Sequence, residues 1–200
     1  MINKGFKPKR NIDQNKKLPP GQYTVDDLPI LTAGPTPKID NEIWNLEIMK
    51  NDELILSINW NDLMKFPQSN FVTDIHCVTK WSIFDTSWEG VYIDHIIENT
   101  ELKSFNGFIL AECYGGYTTN LPTNDLIDKK SMIAHTYNSN PLDAAHGGPA
   151  RLIVPHLHFW KSPKWIKSIN FIDTDKPGFW EGYGYHMYGD PWKEQRYYND

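Results

Sequence analysis

Short segments in which apolar and polar residues alternate are the feature that most constrains this fold. From Trp44 to Ile48, and again from Leu54 to Ile58, every second residue is apolar. This period of two is typical of half-buried strands, so the two segments predict neighbouring strands joined across residues 50–53. The same reasoning predicts further regular segments at 71–78, 107–113, 132–137, 151–155 and 166–173.

Helical spacing is confined to short stretches. Residues 59–66 place apolar side chains near helical spacing before Pro67, and residues 91–97 suit a helix that turns on Asp94. Prolines throughout the first forty residues favour an extended arm over a helix. The sequence therefore predicts an α+β fold with mixed sheets, short helices and irregular arms: an N-terminal arm over residues 1–30 and a single domain over 31–200.

The charge balance limits the partners that the chain can have. Its 25 acidic residues against 20 basic ones give a net charge of −5, which argues against a nucleic-acid groove or a polybasic membrane surface. The basic segment Met1–Lys17 has no apolar stretch behind it, as a signal peptide or anchor would require. We therefore expect a cytoplasmic protein that acts on a small molecule.

The two cysteines, Cys77 and Cys113, are expected to be free thiols, because a reducing compartment makes a single disulfide an unusual device in a domain of this size. Cys77 lies beside basic residues in the segment His76–Ser82, which favours its thiolate form. Spacing alone also fits a buried, inert cysteine.

Other polar clusters leave several chemistries open. His146 and Arg151 flank a glycine–proline turn and suit a phosphate or a flat heterocycle, although a plain turn with a surface arginine fits as well. His156 and His158 would share one side of a strand, and with Glu112 they suggest a zinc-dependent hydrolase as an alternative. Glycine-rich nucleotide-binding motifs and the GxSxG motif are absent from the sequence.

Three blocks, taken in order, point to one family. They are Ile75–Ser82, Gly116–Pro122 and His146–Pro155. Together they resemble the molybdopterin-binding domain of the sulfite oxidase family, which includes the catalytic subunit of bacterial methionine-sulfoxide reductases. The resemblance runs from about Leu31 to Tyr198. It implies the fold of that domain and a mononuclear molybdenum–molybdopterin cofactor.

The resemblance also implies roles for individual residues. It makes Cys77 the molybdenum ligand, since a thiolate is a ligand type that a sulfur-ligated metal accepts from a protein. It makes Tyr185 the catalytic tyrosine, with Tyr117 or His186 beside it, where a phenol donates a proton or a hydrogen bond. The residues that it implies for the pterin and its phosphate are Cys113, His146, Arg151, Lys161, Ser162, Pro163 and Lys164.

The activity implied is oxygen-atom transfer to or from a small sulfur compound or an N-oxide, with an unidentified electron donor or acceptor. Residues 31–37 contain no arginine, whereas sulfite oxidases have an anion-binding arginine in this place. This difference narrows the prediction from a sulfite oxidase to a sulfite-oxidase-like molybdenum enzyme. Besides the zinc hydrolase, the alternative is a non-catalytic module that binds the cofactor or docks a partner.

Overall fold

Two β-sheets form the framework of this computed structural model, which describes residues 16–200. Residues 1–15, with much of the predicted arm and basic segment, lie outside the described residues. The strands are β1 (Tyr23–Thr24), β2 (Asn45–Lys50), β3 (Glu53–Asn59), β4 (Ser69–His76), β5 (Trp81–Tyr92), β6 (Phe108–Cys113), β7 (Thr118–Pro122), β8 (Met132–Tyr137), β9 (Asn140–Pro141), β10 (Arg151–Ile153) and β11 (Ile166–Ile172).

The first sheet is organised around β5, a strand of 12 residues. Within residues 16–200 it has 6 strands in the order β1–β5–β8–β10, with β4 also paired to β5 and β9 to β8. The register between β5 and β8 shifts between Glu89 and Gly90. A Cβ at Gly90 would lie 2.0 Å from the carbonyl oxygen of Ile133, so the close approach of these two strands requires glycine.

In the part of the chain that the structure describes, the second sheet has 5 strands in the order β3–β2–β11–β6–β7. β11 runs parallel to β2 and antiparallel to β6, so both sheets are mixed, as the sequence predicts. The predicted alternation in β2 is confirmed, because Leu46 and Ile48 are fully buried and their neighbours Asn45, Glu47 and Met49 are half-buried. β6 ends at Cys113, and β4 ends at the residue before Cys77.

The helices are short, and the two helices predicted from the sequence have different bounds in the structure. They are α1 (Trp60–Leu63), α2 (Ile93–Ile97) and α3 (Phe179–Gly182), with 3-10 turns between the strands. The helix predicted over 59–66 ends at Leu63, and Asn59 caps its start by accepting a hydrogen bond from the Asp62 amide at 3.0 Å. The helix predicted over 91–97 is wrong for its first two residues, because Val91 pairs with β8. No helix within residues 16–200 is long and apolar enough to cross a bilayer.

The strands β8 and β10 of the first sheet are buried on both faces. Ile133 and Leu152 belong to the larger core, which lies between the two sheets, whereas their neighbours Met132 and Ile153 belong to a second core on the other side. Successive residues of a strand point to opposite faces, which explains the division. Cys77 and Trp81 also belong to the second core.

Part of the predicted N-terminal arm packs on this second core. β1 pairs with Trp81 and Ser82 of β5, and Val25 and Leu28 are buried in the core. The pairing of β1 with β5 thereby places residues 31–35 close to the turn between β4 and β5.

Candidate active site

A cavity of about 400 Å³ opens beside the turn that carries Cys77. One wall is an extended segment, residues 28–35, which we call the strap. Aromatic rings form much of the remaining wall. The lining residues are Pro29, Leu31, Thr32, Ala33, Gly34, Pro35, Cys77, Val78, Thr79, Trp81, Tyr114, Gly115, Gly116, Tyr117, Arg151, Phe159, Trp160, Ser162, Pro163, Lys164, Trp165, Phe179, Trp180 and Tyr185.

A tight turn places Cys77 at the cavity. The Cys77 amide donates to the Trp81 carbonyl at 2.9 Å, and the Lys80 amide donates to the Cys77 carbonyl at 3.0 Å. Lys80 adopts a left-handed φ of 74°, which closes the turn. The Thr79 hydroxyl donates to the Cys77 sulfur at 3.2 Å. The turn therefore holds a thiol at the cavity with one hydrogen bond already directed at its sulfur.

The charge state of Cys77 differs from the one that its basic neighbours predict. Burial raises the pKa of the Cys77 thiol, and the hydrogen bond from Thr79 opposes this rise. Neither basic neighbour provides a buried positive charge beside the thiol. Lys80 is exposed to solvent. Burial lowers the pKa of His76 to about 4, so its ring is neutral, and its Nδ1 lies 2.8 Å from the Ser82 hydroxyl. The thiolate is therefore expected when a metal cation binds the sulfur, because coordination removes the proton.

Arg151 is the most buried cation of the cavity wall. Its guanidinium donates to the carbonyls of His146 at 2.8 Å and Ser162 at 2.5 Å, and it lies 4.4 Å from the centre of the Phe159 ring. Its Nε has no hydrogen-bond partner within the described part of the chain. A buried polar atom without a partner is costly, so this N–H is well suited to a ligand in the cavity.

Lys164 ties the strap to the turn at His146. Its ammonium group donates to the carbonyls of Leu31 at 2.8 Å and Ala145 at 2.6 Å. The turn requires glycine at position 147, because its φ is 110°. A Cβ at this position would also lie only 3.0 Å from the Cβ of Lys164. The structure thus brings together Arg151, Ser162, Pro163 and Lys164 as the sequence predicts.

His146 and Cys113 lie behind the cavity wall, since neither is among its lining residues. The His146 ring contacts Asp143 and donates from Nε2 to the Leu28 carbonyl at 3.0 Å. Cys113 is buried at the end of β6, where its amide donates to the Tyr117 carbonyl at 2.9 Å. Their predicted contacts with the cofactor stay predictions.

Lys161 also lies away from the cavity. Its ammonium group is completely buried and forms an ion pair with Glu181 at 2.6 Å. It also donates to the carbonyls of Asn120 at 2.9 Å and Met187 at 2.7 Å. In this arrangement Lys161 joins α3 and the segment after it to β7, and its amine is not directed at the cavity.

Tyr185 stands in an aromatic wall of the cavity. Its ring stacks on Trp180 with a centroid distance of 5.1 Å, and it meets Trp160 edge-on, also at 5.1 Å. Burial raises the pKa of Tyr185 above its ordinary value of 10.0, so the phenol keeps its proton at neutral pH. The Tyr117 hydroxyl donates to the Trp160 carbonyl at 2.8 Å, and His186 does not line the cavity. Tyr185 therefore has the better-placed phenol.

The histidine pair has no zinc-like geometry. His156 and His158 follow β10 in a loop, not on the predicted strand, because the chain leaves the sheet after Ile153. His156 lies 2.9 Å from the Asp125 carboxylate, and Glu112 pairs with Lys167 at 3.3 Å. Within residues 16–200 no group of three metal-binding side chains comes together. The zinc alternative therefore has no ligand set in this part of the chain.

The cavity fits a pterin that bears a phosphate and a sulfur-ligated metal. It offers a soft thiol at Cys77 and the unpartnered guanidinium N–H of Arg151. Gly115 and Gly116 have φ values of 92° and 83°, and a Cβ at either position would have no neighbour within 4 Å. Their backbone therefore borders open space, where a flat ligand can approach closely.

Comparison with known proteins decides the family. The model described as oxidoreductase molybdopterin binding domain matches residues 33–180. The chain belongs to this family. It is therefore a molybdopterin-dependent oxidoreductase, and the predicted family, cofactor and enzyme class are confirmed. Tyr185 lies beyond the matched residues, so its role stays a prediction.

Relatives of this molybdopterin-binding family agree with the assignment. The uncharacterized oxidoreductase YuiH of Bacillus subtilis (strain 168) is 39% identical, over 96% of this chain and 98% of its own length. The protein-methionine-sulfoxide reductase catalytic subunit MsrP of Campylobacter jejuni is 24% identical, over 73% of this chain and 54% of its own. The crystal structure of the sulfane dehydrogenase SoxCD from Paracoccus pantotrophus has a TM-score of 0.60 at 19% identity, and covers 69% of this chain and 40% of that one. This last match confirms the α+β fold.

Proposed function

We propose that this oxidoreductase transfers an oxygen atom to or from a small, uncharged sulfur compound, with N-oxides as related substrates. One observation supports the proposal above the others: Cys77 and Tyr185 line the same cavity as four of the predicted pterin-binding residues, Arg151, Ser162, Pro163 and Lys164. When bound, the molybdenum cofactor supplies the two-electron redox change that oxygen-atom transfer requires. The cavity residues bind and orient the cofactor and the substrate.

The charges of the cavity support an uncharged substrate. Among the described residues that line the cavity, only Arg151 and Lys164 are cationic, and each already donates to two backbone carbonyls. By the family resemblance these two residues hold the pterin phosphate. Aromatic rings surround Tyr185, and such rings make favourable contacts with the sulfur of a thioether. A sulfoxide therefore suits this wall better than sulfite or nitrate, each of which needs a free cation.

Tyr185 has a defined chemical task in this proposal. In the reducing direction a sulfoxide takes up two electrons and two protons and becomes a thioether and water, and an external redox partner supplies the electrons. The protonated phenol donates a hydrogen bond to the substrate oxygen as negative charge develops on it. The stacked Trp180 ring fixes the direction of the phenol.

Replacing Tyr185 with phenylalanine is expected to lower kcat by about 100-fold or more, because a positioned proton donor contributes about that much. The aromatic packing remains, so KM should change much less. Steady-state kinetics with a sulfoxide and a reduced dye will separate the two parameters. Tyr183→Phe is the matched control, since Tyr183 is 73% exposed and does not line the cavity. Equal kcat values for wild type and Tyr185→Phe would contradict the assigned role.

The proposed substrate class is tested by dye-linked assays of the molybdenum-loaded protein. We expect turnover with dialkyl sulfoxides or N-oxides in the reducing direction, or with thioethers in the oxidising one, and much weaker turnover with sulfite and nitrate. Faster turnover of the anions would refute the substrate class. Silence with every compound at full molybdenum loading would favour the non-catalytic module. We also propose a cytoplasmic location, which cell fractionation tests.

A further inference from the structure

Two side chains from outside the family-wide region hold the turn that carries Cys77. The family model covers residues 33–180, whereas these side chains are Gln22 and Arg196. The Gln22 amide donates to the Cys77 carbonyl at 3.0 Å, and the Arg196 guanidinium donates to the Val78 carbonyl at 3.3 Å. Gln22 thus binds the carbonyl of Cys77, and Arg196 binds the carbonyl of the residue that follows it.

Arg196 is built into this position. It is 8% exposed, and its second guanidinium nitrogen donates to the Pro20 carbonyl at 3.1 Å. Its backbone amide donates to the Asp200 carboxylate at 2.9 Å, while its backbone carbonyl accepts from the His186 amide at 3.1 Å. Both the main chain and the side chain of Arg196 are therefore fixed, which makes the location of its charge well defined.

The charge of Arg196 lies beside the Cys77 turn, because a guanidinium nitrogen is 3.3 Å from the carbonyl oxygen of Val78, the residue that follows Cys77. Between residues 16 and 200, no carboxylate forms an ion pair with the guanidinium. The Asp200 carboxylate binds the backbone amide of Arg196 instead of its guanidinium. Among the described residues, the guanidinium therefore makes its hydrogen bonds to backbone carbonyls, and no carboxylate contacts it directly.

We propose that Arg196 is a positioning residue that fixes the Cys77 turn and raises the reduction potential of the metal bound to Cys77. The physical reason is that reduction adds negative charge to the metal centre, and a nearby buried cation stabilises the reduced form. Hydrogen bonds and charges behind a metal ligand tune the metal in this way without touching it. The proposal rests on Cys77 being the molybdenum ligand.

Two substitutions separate the charge of Arg196 from its hydrogen bonds. Arg196→Gln removes the charge but keeps a donor, whereas Arg196→Lys keeps the charge but loses the planar fork. Lys80→Met is the charge control, because it removes an exposed cation from the same turn. Gln22→Met is the hydrogen-bond control, because it removes the donor to the Cys77 carbonyl without changing the charge.

The measurements are the molybdenum content of the purified holoprotein, its midpoint potentials from an EPR-monitored redox titration, and the unfolding midpoint of the apoprotein. We expect a more negative potential in Arg196→Gln at retained molybdenum content. Arg196→Lys, Lys80→Met and Gln22→Met should stay close to the wild-type potential.

Several outcomes would overturn the proposal. One is an unchanged potential in Arg196→Gln, and another is an equal shift in Lys80→Met. Equal loss of molybdenum in Arg196→Gln and Arg196→Lys, with equally lowered unfolding midpoints, would leave Arg196 with a purely structural role. Full molybdenum binding with unchanged spectra in Cys77→Ser would refute the ligand assignment and the tuning role together, and metal analysis with absorption spectra detects that case separately.

Discussion

Cys77→Ser is expected to abolish molybdenum-dependent turnover while the protein still folds. Substitutions behind a metal ligand typically reduce metal affinity or activity by about 10–100-fold, so loss of the ligand itself should exceed that range. Serine is close to cysteine in size, and the turn that contains Cys77 is closed by two backbone hydrogen bonds that the substitution leaves in place. Metal analysis, visible absorption and dye-linked kinetics of the variant will measure the effect.

Thr79→Val is the graded control for this substitution. It removes the hydroxyl that donates to the Cys77 sulfur at 3.2 Å and leaves the thiol in place. We expect molybdenum to remain bound and activity to fall by no more than about 100-fold. Wild-type molybdenum content with unchanged spectra in Cys77→Ser would show that the metal does not bind this sulfur.

Lys161→Met is expected to destabilise the apoprotein by about 3–5 kcal/mol, because it leaves the Glu181 carboxylate buried without its cation. The Glu181 carboxylate keeps its hydrogen bonds from Thr119 at 2.9 Å and Trp160 at 2.8 Å, but these donors are neutral. Urea denaturation of the apoprotein measures the free energy of unfolding. The double variant Lys161→Met/Glu181→Gln should recover part of the loss, since the unpaired charge is gone.

The exposed pair of Lys65 and Asp62 provides the matched control. Its nitrogen–oxygen distance is 2.8 Å, but the two side chains are 74% and 41% exposed. Lys65→Met is therefore expected to change stability by less than about 1 kcal/mol. If Lys161→Met instead kept full stability and lost the cofactor, Lys161 would be a cofactor contact, as the sequence predicts.

The contrast between Lys161 and Lys164 shows how far local sequence determines the site. Both lie in one short segment between Trp160 and Trp165, and both are predicted to hold the pterin. Lys164 lines the cavity, whereas Lys161 turns inward to Glu181. A partner 20 residues along the chain leaves no periodic signal at the lysine, so only the tertiary structure separates the two.

The strands were predictable where one face is buried and the other is not. β2 shows this alternation clearly. The sequence does not predict β5, because this strand has side chains in both hydrophobic cores and therefore lacks a simple alternation. Its pairing with β4 also contains a register shift, and Asp85 adopts a left-handed φ of 55°. The strap was likewise missed as a cavity wall, since its prolines indicate only an extended chain.

The strap is anchored through its main chain. Lys164 binds the Leu31 carbonyl and His146 binds the Leu28 carbonyl, and every residue type presents such an oxygen. Residues 30–35 are exposed and contribute Leu31, Thr32 and Ala33 to the cavity wall. Side chains there can be exchanged without disturbing the anchors. The strap is thus a natural place for directed evolution to alter substrate preference while the cofactor-binding part of the cavity remains unchanged.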